Sequence, residues 1–409
     1  MKYFKNTELA RLYHVSEKSV RNWIDATVNG KLDLDLYEVD GRRCVANTTK
    51  NHDIIRALVN QRKKFTNGRG HKVVIPKPEF YDLFNSKQIL DIIKNIDIYR
   101  EIPHQYGYFD GGARFWDEYA HRLYRESAPN TLNKTIHLLK LNEEYILDQI
   151  GDHKVNVIDL GPGNSLPVKG LLGILLEKNM LNKYICIDLS KEVLEIASTN
   201  VEHWFDGRVE QRQYVRDITR ESFDDIVAEE TLVGDGTINL VLLFGGTLST
   251  VRQPDHTLQL IRYSMNRNDI FAYSKKLDSG TSRRYFDFTV NKDALRLPFQ
   301  EMIPNVLGID QSFYELEQLY DEEQRMRTIQ MKMRIDVTVE FEIDQRKHQL
   351  KLQKGDVILL WRSWHQTAKE VIDQFDYNGF DVLQSSLTGD LGYIMAVAKM
   401  KQNTTSHEA

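Results

Sequence analysis

Two rhythms of hydrophobic and polar positions divide the chain. Apolar runs recur at residues 155–160, 184–189 and 238–244, with a shorter run at 213–218 between the last two, and helix-length segments separate them. Near-continuous apolar runs spaced in this way predict parallel strands covered on both faces by helices. After residue 330 the rhythm changes to period two. Residues 334–343 alternate and are expected to pair with 348–352 across the polar turn Asp344-Gln345-Arg346-Lys347. Residues 355–361 then add a strand, so that three antiparallel strands form a cap. A helix over 366–375 and strands over 379–383 and 393–398 return to the sheet. At the other end of the chain the period is helical. Residues 6–13 form a short helix, His14-Val15-Ser16 is the turn with Ser16 as N-cap, and residues 17–24 place Val20, Trp23 and Ile24 on one face. Residues 37–45 read as a hairpin.

Charge sharpens this division. The 409 residues carry a net −5, but residues 1–72 hold 15 basic and 8 acidic side chains, a net of +7, which leaves −12 on the remainder. The tract 63–72 is basic and contains glycine, and Pro76 and Pro78 follow, so it reads as a boundary between two bodies. No apolar run approaches the ~20 residues of a spanning helix, and the first residues lack a signal-peptide core. The expectation is a cytoplasmic protein with no membrane partner and a disordered tail from Gln402. Cys44 and Cys186 are the only cysteines, which supports neither a disulfide framework nor a metal site.

The chemistry gathers at the ends of the apolar runs. The first ends in Asp159-Leu160-Gly161-Pro162-Gly163-Asn164, a turn whose glycines let main-chain amides approach a ligand. The second ends in Asp188-Leu189, which offers a carboxylate to a ribose diol. A dinucleotide loop would carry a third glycine where Leu166 stands, and no phosphate-binding loop ending in Gly-Lys-Ser/Thr occurs. What remains, Asp-x-Gly-x-Gly, resembles the first motif of class I S-adenosylmethionine-dependent methyltransferases. That resemblance implies S-adenosylmethionine as cofactor, held by Asp159, Gly161, Gly163, Asp188 and Leu189. It further implies Asp217 as acceptor from the adenine amino group, Ile218 packed on the ring, and Phe244 and Gly245 at the end of the fourth strand.

A narrower resemblance follows from three segments. Residues 106–119 (Tyr106-Gly107-Tyr108-Phe109-Asp110-Gly111-Gly112 through Phe115-Trp116-Asp117), 243–250 (Leu243-Phe244-Gly245-Gly246-Thr247-Leu248-Ser249-Thr250) and 331–363 resemble the histidine-specific methyltransferases of the ergothioneine pathway. The resemblance spans about residues 80 to 400 and implies acceptor contacts at Tyr108, Thr250, Trp361 and Ser363. Thr250 stands where that family has an asparagine, and Trp361 where it has a glutamate. A site built for hydrogen bonds discriminates strongly against ligands that cannot make them. The expected acceptor is therefore an amine of an amino-acid-like small molecule or peptide other than free histidine. Trp361 suits a flat, less polar or cationic group. His256 and His365 are candidate bases, but no catalytic residue is assigned. The base-methylating motifs Asp/Asn/Ser-Pro-Pro-Tyr/Phe and Pro-Cys are absent, which argues against a flipped nucleotide as acceptor.

Residues 1–45 resemble the helix-turn-helix of winged and MerR-type regulators, with the hairpin as wing. That implies a DNA or protein partner through residues 1–72 and leaves both open, together with assembly as a homodimer. A DNA-binding regulator with a metabolite-sensing methyltransferase-like half, or a protein methyltransferase, are the competing readings. The expected fold is α/β, a Rossmann-like seven-stranded methyltransferase sheet with an inserted α+β substrate or lid domain and a small N-terminal winged helix-turn-helix domain. The expected boundaries are 1–72, then 73–275 with 376–401, and the insertion 276–375.

Overall fold

A computed structural model describes the chain apart from residues 1–2, 14, 16, 40, 66–70, 127–129, 232–235, 279–297 and 403–409, and apart from the side chains of 60–65 and 298–299. His14 and Ser16, expected as turn and N-cap, lie outside the described residues, as do the middle of the basic tract and nearly all of the tail. Two compact units emerge, Met1–Val73 and Val74–Ala409.

In the first unit, helices Asn6–Leu12 and Glu17–Val28 precede a hairpin of Leu36–Val39 and Arg42–Ala46, and helix Thr49–Phe65 follows. Strand Tyr3–Phe4 adds to the hairpin beside Arg42–Ala46. Leu9, Val20, Trp23, Ile24, Val45 and Ile55 fill the core, so the apolar face read from residues 17–24 is the buried one. Asn51 closes the unit from below. Its side chain is buried, donates to the carbonyls of Asp35 (2.8 Å) and Ala46 (2.9 Å), and accepts from the amide of Asp35 (2.8 Å). A buried amide satisfied on both sides costs little to bury and fixes the helix against the hairpin.

The second unit is built on a sheet of seven strands: Val155–Leu160 (β1), Leu181–Asp188 (β2), Gln211–Val215 (β3), Ile238–Leu243 (β4), Ile270–Lys276 (β5), Phe380–Leu387 (β6) and Tyr393–Met400 (β7). Their order is β6-β7-β5-β4-β1-β2-β3. The strands β1 to β5 run parallel, and β7 is antiparallel to both β5 and β6. Every residue of β1 and β4 is buried, including the polar Asn156, Asp159 and Asn239 that interrupt their apolar runs, whereas the edge strand β6, after the buried Phe380, alternates between exposed and partly buried positions. The order reverses between β1 and β4, and a crevice opens at such a switch point beyond the carboxyl ends of the strands.

The cap departs from the expected three-stranded sheet. Asp336–Ile343 and Arg346–Leu352 do form a hairpin, but the turn is only Asp344-Gln345, both at positive φ (48° and 65°), and Arg346 and Lys347 belong to the second strand. A two-residue turn with both residues left-handed matches the twist of the flanking strands. Val357–Trp364 does not join this hairpin. It pairs instead with Met326–Met333, which pairs in turn with Tyr314–Asp321. The buried and partly buried positions of Met326–Met333 alternate imperfectly and a bulge interrupts its ladder at Ile329 and Gln330, so its period-two signal is weak. Arg362 anchors the sheet by a buried ion pair with Glu101, and the main chain of Leu359 bonds to Arg100 and Ile102.

Candidate active site

At the carboxyl ends of β1, β2 and β4 lies a cavity of about 780 Å³. Its floor is the turn after β1. Gly161 and Gly163 have φ of +67° and +56°, a left-handed conformation that side chains resist. A Cβ on Gly161 would stand 3.5 Å from Thr247 Oγ1 and 3.9 Å from Asp188 Oδ2, and one on Gly163 would stand 3.5 Å from Trp116 Nε1. The glycines therefore leave space beside the acid that ends β2. Gly161→Ala should lose about 1–2 kcal/mol of stability from its backbone conformation alone and should place a methyl group in contact with Thr247 and Asp188, in space the cofactor would use. Urea unfolding and calorimetry with S-adenosylhomocysteine would measure both effects.

Three carboxylates stand at successive strand ends. Asp159 is buried and accepts from the Tyr184 hydroxyl at 2.7 Å, and that hydroxyl is also 2.8 Å from Ser165 Oγ. Burial pushes Asp159 up to about 7 against the pull of that hydrogen bond. Asp188 receives the Ser190 amide at 2.7 Å, and burial together with the charge of Asp217 brings it to about 7 as well. Asp217 lies just past the end of β3, accepts from the amide (3.0 Å) and hydroxyl (2.6 Å) of Thr219, and meets Gln105 Nε2 at 3.3 Å. Beside these acids, Leu189, Ile218, Phe244 and Gly245 supply apolar and bare-backbone wall.

The acceptor positions inferred from sequence line the same cavity. Tyr108 ends the short helix His104–Tyr108, and its hydroxyl is 3.1 Å from His104 Nε2. Burial raises the Tyr108 hydroxyl above its ordinary value and lowers His104 to about 4, so the tyrosine stays protonated and the imidazole neutral. Thr250 donates to the carbonyl of Thr247 at 2.9 Å. Trp361 and Ser363 come from Val357–Trp364. Of the two histidines considered as bases, His365 is buried and lowered to about 3 by burial and by Lys275, Lys276 and Arg327, which makes it a weak base. His256 does not line this cavity but an adjoining one of about 250 Å³, which shares Thr250 and His104 with it. Every cofactor and acceptor position named from sequence thus lines one cavity. Lys276, Ile329 and Arg327 line it too and were not foreseen. Lys276 closes β5 after a second lysine, and Arg327 lies in a strand whose alternation is imperfect, so neither carried a motif.

The residues fit a nucleoside cofactor, with carboxylates for its hydroxyl and amino donors and a glycine turn that a side chain would fill. Sheet order, glycine turn and strand-end acids together define the class of S-adenosylmethionine-dependent methyltransferases. A sequence profile described as histidine-specific, S-adenosylmethionine-dependent methyltransferase matches residues 86–397, and the chain belongs to that family. No curated protein matches the chain. Among solved structures, an S-adenosylmethionine-dependent methyltransferase from Clostridium acetobutylicum is 11% identical, covers 70% of this chain and 100% of its own, and has a TM-score of 0.38. The glycopeptide N-methyltransferase MtfA with S-adenosylmethionine is 12% identical over 63% of this chain and 92% of its own, at a TM-score of 0.32. The 1,6-didemethyltoxoflavin-N1-methyltransferase of Burkholderia thailandensis is 12% identical over 73% of this chain and 91% of its own, at 0.36. Among the described residues no helix is long and apolar enough to cross a membrane, and no cluster of side chains could hold a metal ion.

Proposed function

We propose that this methyltransferase alkylates an amine of an amino-acid-like small molecule or peptide other than free histidine. The observation that carries this reading is the convergence of the strand-end acids, the glycine turn and the acceptor positions on one cavity. When bound, S-adenosylmethionine supplies an activated methyl group on a cationic sulfur. Gly161 and Gly163 present main chain to it, Asp188 accepts from its ribose hydroxyls, Asp217 accepts from the adenine amine, and Leu189 and Ile218 flank the ring. Asp159, Phe244 and Gly245 complete that end. Tyr108, Thr250, Trp361 and Ser363 position the acceptor. Alignment of two reactants in such a cleft contributes roughly 7–11 kcal/mol to the rate. With His104 and His365 both weak bases, the acceptor amine reacts after giving its proton to water. Histidine recognition by the asparagine and glutamate of the resembled family has no counterpart at Thr250 and Trp361. Incubation with methyl-labelled cofactor should therefore label other amines in a cell extract and leave free histidine unlabelled; rapid labelling of histidine would end the proposal.

The acids give this reading a pH signature. A carboxyl raised from 3.8 to about 7 in the fold binds a proton that the unfolded chain has released, so its burial weakens the fold as pH rises across that interval. The ionised form of Asp188 accepts from both ribose hydroxyls and binds them more strongly than the protonated form, which keeps one oxygen as a donor, so cofactor binding favours loss of its proton. Affinity for S-adenosylhomocysteine should rise from pH 5.5 to about 7 and then level off, and Asp188→Asn should flatten the profile. Calorimetry in two buffers of different ionisation enthalpy reads the released proton directly.

The first unit is proposed as a winged helix-turn-helix that docks a partner. Lys18, Arg21 and Asn22 lie on the exposed face of Glu17–Val28, opposite the buried Val20, Trp23 and Ile24, and Arg42 and Arg43 are exposed on the hairpin. A shift of random duplex DNA at low salt, weakened by Arg21→Ala with Arg42→Ala, would support a nucleic-acid partner; no shift at low salt would count against it.

A further inference from the structure

We propose that the acceptor carries an anionic arm, a carboxylate or a phosphate, which passes Thr250 and docks on Arg252 in the adjoining cavity. This deepens, and rests on, the methyltransferase reading of the main cavity. The two cavities meet at Thr250: that residue, Val251, His104, Gln105 and Thr219 line both. The smaller one, of about 250 Å³, is large enough for a carboxylate or phosphate and a short carbon chain. Thr250 is one of the positions proposed above to hold the acceptor, and Arg252 stands two residues beyond it in the wall of the smaller cavity. Trp364 Nε1 donates to the carbonyl of Val251 at 3.3 Å, which ties the segment between Thr250 and Arg252 to the strand that carries Trp361 and Ser363.

The charges of the smaller cavity single out Arg252. Asp91 and Glu101 are the carboxylates that line it, and both are already engaged. Asp91 pairs with Arg220 and accepts from the Tyr106 hydroxyl and from Asn95 Nδ2, each at 2.9 Å. Glu101 pairs with the buried Arg362. Arg220 is in turn shared between Asp91 and Asp217, the latter at 3.5 Å. Arg252 has no such compensation. Among the described residues no carboxylate pairs with it, and its Nη1 is buried without a hydrogen-bond partner. Its guanidinium carbon lies 3.5 Å from the centroid of the Tyr99 ring, which covers one face of the group. A stacked guanidinium is held flat and presents its N–H groups edgewise, the geometry that suits a partner with two oxygens. Lys94, exposed on helix Ser86–Tyr99, lines the same cavity and adds a second positive charge. A buried donor without a partner costs stability in the empty protein. An oxyanion seated in this cavity offsets that cost, whereas a cationic arm meets like charge. The acceptor amine thus faces the methyl group in the main cavity while its anionic arm is held on the far side of Thr250.

The test uses simple anions as probes. Protein saturated with S-adenosylhomocysteine is titrated at constant ionic strength with acetate, followed by saturation transfer to its methyl protons, or with inorganic phosphate, followed by its phosphorus line width. Saturable binding is expected with at least one anion, and which anion binds separates carboxylate from phosphate. Arg252→Gln should raise the midpoint about tenfold or more, the scale of one lost charge-assisted hydrogen bond. Arg252→Lys should recover only part of the loss, because an ammonium lacks the fork, and Tyr99→Leu should raise the midpoint about threefold through the lost stacking. Affinity for S-adenosylhomocysteine should stay within about twofold in all three, as neither Arg252 nor Tyr99 lines the main cavity. With methyl-labelled cofactor and a cell extract, Arg252→Gln should cut labelling about tenfold at limiting extract, and mass spectrometry of the labelled product should find a carboxylate or a phosphate. The proposal is overturned if wild type shows no saturable binding, if Arg252→Gln keeps its midpoint, or if the labelled product carries neither group. Should Arg252→Gln fail to fold, Arg252→Lys and Tyr99→Leu decide, and unchanged midpoints in both overturn it. Absence of S-adenosylhomocysteine binding by wild type, with the anion response intact, would sink the cofactor assignment and leave the anion site standing.

Discussion

Asp188→Ala should weaken S-adenosylhomocysteine binding by about two to three orders of magnitude at pH 7.5 without loosening the fold. Two ribose hydroxyls that donate to a carboxylate contribute about 1.5–3 kcal/mol each, and the lower end of their sum already corresponds to more than a hundredfold in affinity. Stability should move the other way, or not at all. Asp188 is raised to about 7 mainly by burial, so its charge above that pH is unfavourable in the empty site, and alanine removes it. The compensating loss is one hydrogen bond from the Ser190 amide, which Asp188→Asn retains in part. Calorimetry and thermal unfolding on the same samples separate the two effects. Equal affinity in wild type and Asp188→Ala would remove the ribose contact from the proposal, and a collapse of the melting temperature would mark Asp188 as a structural residue.

How much of this was legible in the sequence depends on how local each signal is. The strands β1, β2 and β4 are buried on both faces, so their apolar runs announce them, and the acid or glycine at each end marks the crevice because only the loops there reach it. Asp217 was found by its distance along the chain from Asp188, although β3 itself stops at Val215 and its polar composition marks it as the edge. Cap pairing was not legible in this way. Asp336–Ile343 and Val357–Trp364 alternate, Met326–Met333 only in part, and a period of two reports that a segment is a strand without reporting which strand it joins. Pairing is decided by non-local contacts such as the buried Arg362 and Glu101 pair, whose partners lie 261 residues apart. Arg327 and Lys276 were missed for the same reason. Each becomes part of the site only through the register of Arg327 with Ser363 and the placing of β5 beside β4.

Phe271→Ala should be the most destabilising single change among those considered, and it should spare the cofactor site. Phe271 lies in β5 with its side chain fully buried. It stacks on Phe375 at 5.4 Å and 6° between planes, and meets Phe380 at 5.2 Å and Tyr273 at 6.4 Å. Phe375 belongs to helix Ala368–Tyr377, and Phe380 opens β6, so one ring joins the parallel half of the sheet to the segment that returns from the cap. Removing it costs about 3–5 kcal/mol, because the neighbouring rings are held by a helix and two strands and cannot collapse into the space. At roughly 2–4 °C per kcal/mol for a larger domain, melting should fall by about 6–20 °C. Phe271 does not line the cavity, so affinity for S-adenosylhomocysteine at 15 °C should change by less than about threefold. That outcome is the mirror image of Asp188→Ala. A protein in which binding and stability respond to different residues carries its ligand site on the strand ends and its cohesion in the layers beneath, and a Phe271→Ala variant that lost both together would show that the return hairpin and the crevice unfold as one body.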